Sequence, residues 1–188
     1  MIQWLRDQLG IIKHSADSER LIRGLDDTQG VYFVPAFTGL GAPWWEPQAR
    51  GMICGLTRGC DRRHIVRACL EAIAYQTKDV FDLMKSSFAG KIQELKVDGG
   101  ACRNNFLLQF QADMLGIPLI RPKRIESTAQ GVCHLAGLTA GLWRESDLER
   151  FHSKDRVFRP TLNSQERKRK YQGWLGAVQM VVAGHHNP

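Results

Sequence analysis

The segment with most to offer chemically is Val97-Asp98-Gly99-Gly100-Ala101-Cys102-Arg103-Asn104. The run from Ile92 to Val97 predicts a strand, the two glycines a turn, and Asn104 the N-cap of a following helix. Glycine lets backbone N–H groups approach a ligand that a Cβ would repel. A helix N-terminus adds the positive end of a dipole, suited to phosphate or ribose oxygens. The turn also lies past a strand's carboxyl end, where α/β sheets bind ligands. Taken alone, the double glycine serves equally as a tight turn without a ligand, which is the plainer reading.

Other chemistries find little support. The chain contains no GxxxxGKS or GxxxxGKT loop, no GxGxxG and no GxSxG. No paired carboxylates or Ser/His/Asp set stand together. Cys54, Cys60, Cys69, Cys102 and Cys133 form no CxxC pair, and none has zinc-site spacing, so no metal site is expected. His64 near Cys60 lacks the further ligands a metal needs. Reduced and mostly buried thiols are the expectation.

The 188 residues carry a net charge of +7, but residues 150–170 hold eight basic and two acidic side chains, +6 of that total. A local basic run of this kind reads as a solvated face, Arg167-Lys168-Arg169-Lys170 included. No nucleic-acid fold signature accompanies it, so no nucleic-acid partner is expected. No apolar stretch is long enough to span a bilayer, and the start at Met1 has no basic region followed by an apolar one. A cytoplasmic, non-membrane protein is the resulting expectation.

The elements that must position the glycine turn follow from periodicity. Ile2, Leu5 and Leu9 give an amphipathic helix ending at Gly10. It begins at Met1 without an N-cap residue, which fits either a lost upstream segment or a frayed end. Val31–Val34 and Gly51–Leu56 read as strands, flanking a Gly/Pro-punctuated loop with Trp44 and Trp45. Asp61 caps a long helix whose stripe is Ile65, Ala68, Cys69, Ala72, Ile73, Val80, Leu83 and Met84. Phe106, Leu107, Phe110 and Met114 form the apolar face of the helix capped by Asn104, stopped by Gly116 before Pro118. Ile117–Ile120 is a short strand. A helix from Ser127 or Thr128 to Leu142 is so rich in glycine and alanine that close packing is expected along it. Asn163 and Glu166 open a last helix with Tyr171, Trp174, Leu175, Val178 and Val182 on one face. Gly184–Pro188 should be loose. The order of strands and helices is that of an α/β fold.

Several segments together resemble the C-terminal domain of the FGGY carbohydrate kinases, most closely the branch that phosphorylates glycerol. They include Ile2-Gln3-Trp4-Leu5-Arg6-Asp7, Val34-Pro35-Ala36-Phe37-Thr38-Gly39-Leu40-Gly41-Ala42-Pro43-Trp44-Trp45 and Gly55-Leu56-Thr57-Arg58-Gly59. Further matches are Glu71-Ala72-Ile73-Ala74-Tyr75-Gln76-Thr77, Asp98-Gly99-Gly100-Ala101, Asn104-Asn105-Phe106 and Ser127-Thr128-Ala129-Gln130-Gly131. The likeness runs over roughly residues 1–183. The proline-aromatic loop is the specific part, whereas the double glycine is shared across actin-like ATPases.

The resemblance implies an RNase H-like, actin-like ATPase domain, the C-terminal half of a two-domain sugar kinase. It divides the chain into a nucleotide-binding domain, 1–142, and a helical extension with the basic segment, 143–188. It implies ATP and Mg²⁺ as cofactors, and transfer of the γ-phosphoryl group to a glycerol hydroxyl. By motif position, Gln3, Gly100 and Asn104 fall on the nucleotide side, with Ala101 adjacent. The family's phosphate loop, catalytic aspartate and glycerol-contacting residues have no match in this chain. Catalytic residues and glycerol contacts are therefore expected from an N-terminal kinase domain, and the chain alone is expected to be inactive. Cys69 and Cys133 replace small or hydroxyl residues and are expected to be buried. A homo-oligomer stays open, as does a non-catalytic interaction or regulatory module of the same fold.

Overall fold

A computed structural model describes residues 1–148 and 153–184. Arg150 of the basic run and positions 185–188 of the terminal segment lie outside the described residues. In chain order the elements are α1 (Ile2–Asp7), α2 (Asp17–Leu21), β1 (Tyr32–Val34), β2 (Met52–Cys54) and α3 (Arg62–Ser86). They continue with β3 (Leu95–Lys96), a 3₁₀ turn (Gly100–Arg103), α4 (Asn105–Leu115), β4 (Leu119–Pro122), α5 (Ser127–Thr139) and α6 (Glu145–Leu148). The last two are β5 (Lys154–Phe158) and α7 (Ser164–Ala183). Among the described residues no helix is long and apolar enough to cross a membrane.

Local chemistry sets the helix starts. Asp61 accepts a hydrogen bond from Arg63 N at 2.8 Å, and its own N–H donates to His64 Nδ1 at 3.0 Å, closing a capping box. Desolvation pushes the Asp61 carboxyl up, but hydrogen bonds from the backbone and side chain of Arg63, with its charge, outweigh that and hold it at about 2. Asn104 accepts from Leu107 N at 2.9 Å, and Asn163 from Glu166 N at 2.8 Å. Gly116 ends α4 in the left-handed region, at φ 71°.

The long helix α3 runs through the main core. Leu5 of α1, Val34 of β1, Leu70 and Tyr75 of α3, and Trp174 and Val178 of α7 are all buried in it. The Trp174 ring stacks on Tyr75 at a centroid distance of 5.4 Å. Gly173 lets the side chain of Tyr32 lie against α7, because a Cβ there would overlap the Tyr32 ring. The predicted stripe of α3 holds through Ala68, Cys69 and Ala72, which are buried. It fails beyond, where Val80, Leu83 and Met84 are exposed and Asp79 and Phe81 face inward. Beyond Asp79 the helix leaves the main core, and Phe81 joins a second cluster with Leu108, Leu119 and Phe158.

β1 and β2 pair antiparallel, Phe33 opposite Ile53. A second sheet has the order β3-β4-β5. β3 and β4 are parallel, with Leu95 opposite Leu119, and β4 and β5 are antiparallel, with Leu119 opposite Phe158. β5 arises inside the basic segment, where the sequence suggests only a solvated face. Its residues up to Val157 are exposed, as expected of an edge strand, and only Phe158 is buried. The close packing expected along α5 occurs at Gly137, where a Cβ would overlap the Trp143 ring. Elsewhere α5 is open: Val132 and Leu135 are 64% and 67% exposed, and Cys133 is exposed rather than buried.

Candidate functional site

The double-glycine turn is built by backbone geometry. Gly99 has φ 83° and ψ 173°, a region essentially reserved for glycine, and its N–H donates to Ile125 O at 2.7 Å. The left-handed constraint therefore belongs to Gly99 and not to Gly100. At Gly100, as at Gly99, a Cβ would meet no atom within 4 Å, but of the two only Gly100 lines the open space of the cleft. Cys102 steadies the turn from behind. Its thiol donates to Asp98 O at 2.7 Å, and desolvation, with Asp98 adding to it, pushes the thiol up to about 11. A thiol held protonated and buried is a packing group here, not a nucleophile.

The open space beside Gly100 is a cleft of about 480 Å³. That size is in the range of small-molecule sites. Gln3 on α1, Gly100 and Ala101 in the turn, and Asn104 at the cap of α4 all line it. The fold thus brings together four residues from two segments far apart in sequence. Gln3 and Ala101 are exposed and Asn104 is half-buried. Ile2, Leu70, Ile73 and Leu107 supply apolar lining, and Arg103 a positive charge. Among the described residues, the N–H groups of Gly100 and Ala101, first in the 3₁₀ turn, have no backbone acceptor.

Asn104 is not free to serve a ligand with its whole side chain. Oδ1 takes the Leu107 N–H, and Nδ2 donates to Ser18 Oγ at 3.3 Å. Its main task is to hold the turn, α4 and α2 together. Ser15, Ser18 and Glu19 also line the cleft and were invisible in the sequence, being polar residues of a short helix and its approach. Ser18 is buried and donates to Ser15 O at 2.6 Å.

Around the proline-aromatic loop a second polar group organises the structure. Trp44 Nε1 and Trp174 Nε1 donate to Asp79 Oδ2 at 3.1 and 3.0 Å. Trp44 is thereby anchored, whereas Trp45 is 74% exposed. No group of three His, Cys, Asp or Glu side chains among the described residues converges to hold a metal ion. His64 is buried against Asp61, and its Nε2 makes no hydrogen bond among the described residues.

Residues 1–140 match the profile of the FGGY family of carbohydrate kinases, C-terminal domain. The chain is 53% identical over 182 residues to a glycerol kinase of Caldanaerobacter subterraneus subsp. tengcongensis, covering 96% of this chain and 37% of that protein. It is 53% identical over 179 residues to a glycerol kinase of Aeromonas hydrophila subsp. hydrophila, covering 95% of this chain and 36% of that protein. Among solved structures, Plasmodium falciparum glycerol kinase with ADP superposes with a TM-score of 0.87 at 33% identity, covering 96% of this chain and 36% of that one. A xylulose kinase from Rhodospirillum rubrum superposes at 0.79 with 20% identity, a likeness of fold alone, covering 99% of this chain and 38% of that one. The chain thus spans little more than a third of the length of the curated relatives it matches. With the profile matched over most of its length and the actin-like ATPase fold of sugar kinases in its architecture, the chain belongs to the FGGY family of carbohydrate kinases, as their C-terminal domain.

Proposed function

We propose that this chain is the nucleotide-binding side of an ATP-dependent glycerol kinase. The observation that carries the reading is the convergence of Gln3, Gly100, Ala101 and Asn104 on one cleft. The similarity to glycerol kinases over almost the whole chain supplies the substrate.

In this reading Gly100 keeps the cleft open for the nucleoside to lie against the backbone. The N–H groups of Gly100 and Ala101 offer donors to its oxygens. Gln3, exposed at the mouth, offers an amide that can both donate and accept. Asn104 acts through the cap, keeping the turn in register with α4. ATP, when bound, supplies the γ-phosphoryl group that passes to a glycerol hydroxyl. Mg²⁺ enters with the phosphates, which provide much of its coordination in such sites. The acceptor pocket and the carboxylate that orients the hydroxyl belong, in this proposal, to the N-terminal kinase domain. The reaction is placed in the cytoplasm.

Calorimetric titration of the chain with MgADP tests the nucleotide assignment. A coupled assay for glycerol 3-phosphate, with and without a relative's N-terminal domain, tests the division of labour. The expectation is turnover only with both parts present. Robust turnover by this chain alone would overturn that division. Nucleotide binding without turnover in the combined sample would favour a non-catalytic module.

A further inference from the structure

We infer that Glu19 and Asn105 form a latch that sets the width of the cleft, so that both are positioning residues for the nucleotide. The inference rests on the reading of the cleft as a nucleotide site, and it concerns residues which that reading leaves without a role.

Two walls meet at the cleft, the α2 region with Ser18 and Glu19, and the glycine turn running into α4. They are more than eighty residues apart in sequence, yet polar contacts tie them directly. Asn105 N donates to Glu19 Oε2 at 3.0 Å, and Asn105 Nδ2 donates to Glu19 Oε1 at 3.2 Å. Both carboxylate oxygens are thus used by one residue, a charge-assisted pair of bonds. A helix of only five residues, α2, has little stability of its own. Its place beside the cleft depends on such tertiary bonds.

The amide of Asn105 cannot turn over. Its Oδ1 accepts from Arg121 Nη1 at 3.2 Å and Arg156 Nη1 at 3.4 Å, so Nδ2 must face Glu19. Arg121 also donates through Nη1 to Cys102 O at 2.9 Å, inside the turn, and through Nε to Asp155 Oδ2 at 2.6 Å. The latch is therefore backed by β4 and β5, which hold one wall rigid while Glu19 draws the other to it. A ligand that spans both walls binds best when they are already in place.

The test exchanges donor and acceptor. In Glu19→Gln one of the two bonds is lost, because an amide N–H2 must face an N–H donor of Asn105. In Asn105→Asp a carboxylate faces a carboxylate. In the double variant E19Q/N105D the new amide donates to the new carboxylate, while its oxygen accepts from the backbone N–H of position 105. Arg121 and Arg156 retain their acceptor there. MgADP affinity is measured by calorimetry, on the chain together with a relative's N-terminal domain if that is required for binding, with circular dichroism confirming folding. Each single variant is expected to bind about tenfold more weakly, equivalent to about 1.4 kcal/mol, and the double variant to recover most of that. Singles that bind like the wild type, or a double variant as weak as the sum of the singles, overturn the latch. Wild-type protein that fails to bind MgADP under any of these conditions overturns instead the nucleotide reading beneath it. If a single variant fails to fold, the recovery of fold and affinity in the double variant decides the matter, and its absence counts against the latch.

Discussion

The hydroxyl of Tyr171 donates to Asp79 Oδ1 at 2.5 Å, joining the C-terminal third of α3 to the first half of α7. With Trp44 and Trp174 on Oδ2, this buried carboxylate is met, among the described residues, by aromatic donors. Desolvation raises its pKa above the ordinary 3.8, and the hydrogen bonds from Tyr171, Trp174 and Trp44 pull the other way without cancelling the shift. The folded state therefore binds this proton more tightly than the unfolded chain. The stabilisation from protonation is complete below the unfolded value and is lost as pH rises through the raised folded value. Asp79→Asn lacks that loss. Urea midpoints of both proteins, from about pH 4 to about pH 8, should show the variant gaining on the wild type as pH rises. Parallel curves would refute the assignment.

Asp79→Ala makes a harsher change. It leaves the Trp44, Tyr171 and Trp174 donors without their acceptor. Stranding buried donors costs about 1–3 kcal/mol for each group. Chemical denaturation should register a loss well beyond that of Asp79→Asn, and fluorescence should report a wetter Trp44.

Gly99 and Gly100 should separate under substitution. Gly99→Ala forces a side chain into a φ of 83°, at about 1–3 kcal/mol, and should lower stability. Gly100→Val meets open space, so its stability should stay nearly unchanged while its branched side chain fills the cleft. Calorimetry with MgADP paired with thermal melts checks both. Undiminished affinity in Gly100→Val would remove the turn from the site.

Asn104→Ala removes the cap of α4 and the bond to Ser18, costing about 1 kcal/mol or somewhat more. Asn104→Asp keeps an acceptor for Leu107 N, and loses only the donor to Ser18. The Asp variant should therefore melt close to the wild type and the Ala variant lower. A reversed order in differential scanning calorimetry would show that capping is not this residue's main task.

Trp174→Ala should cost about 3–5 kcal/mol, since the ring is fully buried and stacked on Tyr75. A single cooperative denaturation shifted as a whole is the expected trace. A change confined to a minor transition would mean that α7 unfolds apart from α3.

What could be read from the sequence was what neighbours in the chain decide. Asp61, Asn104 and Asn163 bond to N–H groups two or three positions away, and Gly116 needs only its own φ, so the caps were legible. The motif positions at Gln3 and Gly100 were legible through resemblance, not through spacing. Glu19 was not, because its partner Asn105 lies in another helix and a lone glutamate in a polar stretch carries no signal. β5 was hidden for a related reason. Lys154, Asp155 and Arg156 do face solvent, and only their backbone pairing with β4 makes them a strand. The four basic residues of α7 show the same limit: Lys168 and Arg169 are exposed, while Arg167 packs at Gly116 and Lys170 lies over the Phe110 ring at 5.9 Å.

The burial of Trp174 has a consequence for synthesis. Ribosomes release the chain from its N-terminus, so the pocket made by Tyr75 and its neighbours leaves the exit tunnel about a hundred residues before the indole that fills it. Through that interval Asp79 has only Trp44 of its three aromatic partners. The nascent protein is thus committed to waiting: its main core closes only when α7 arrives, and every second of elongation across that stretch is time in which chaperones have an apolar cavity to hold.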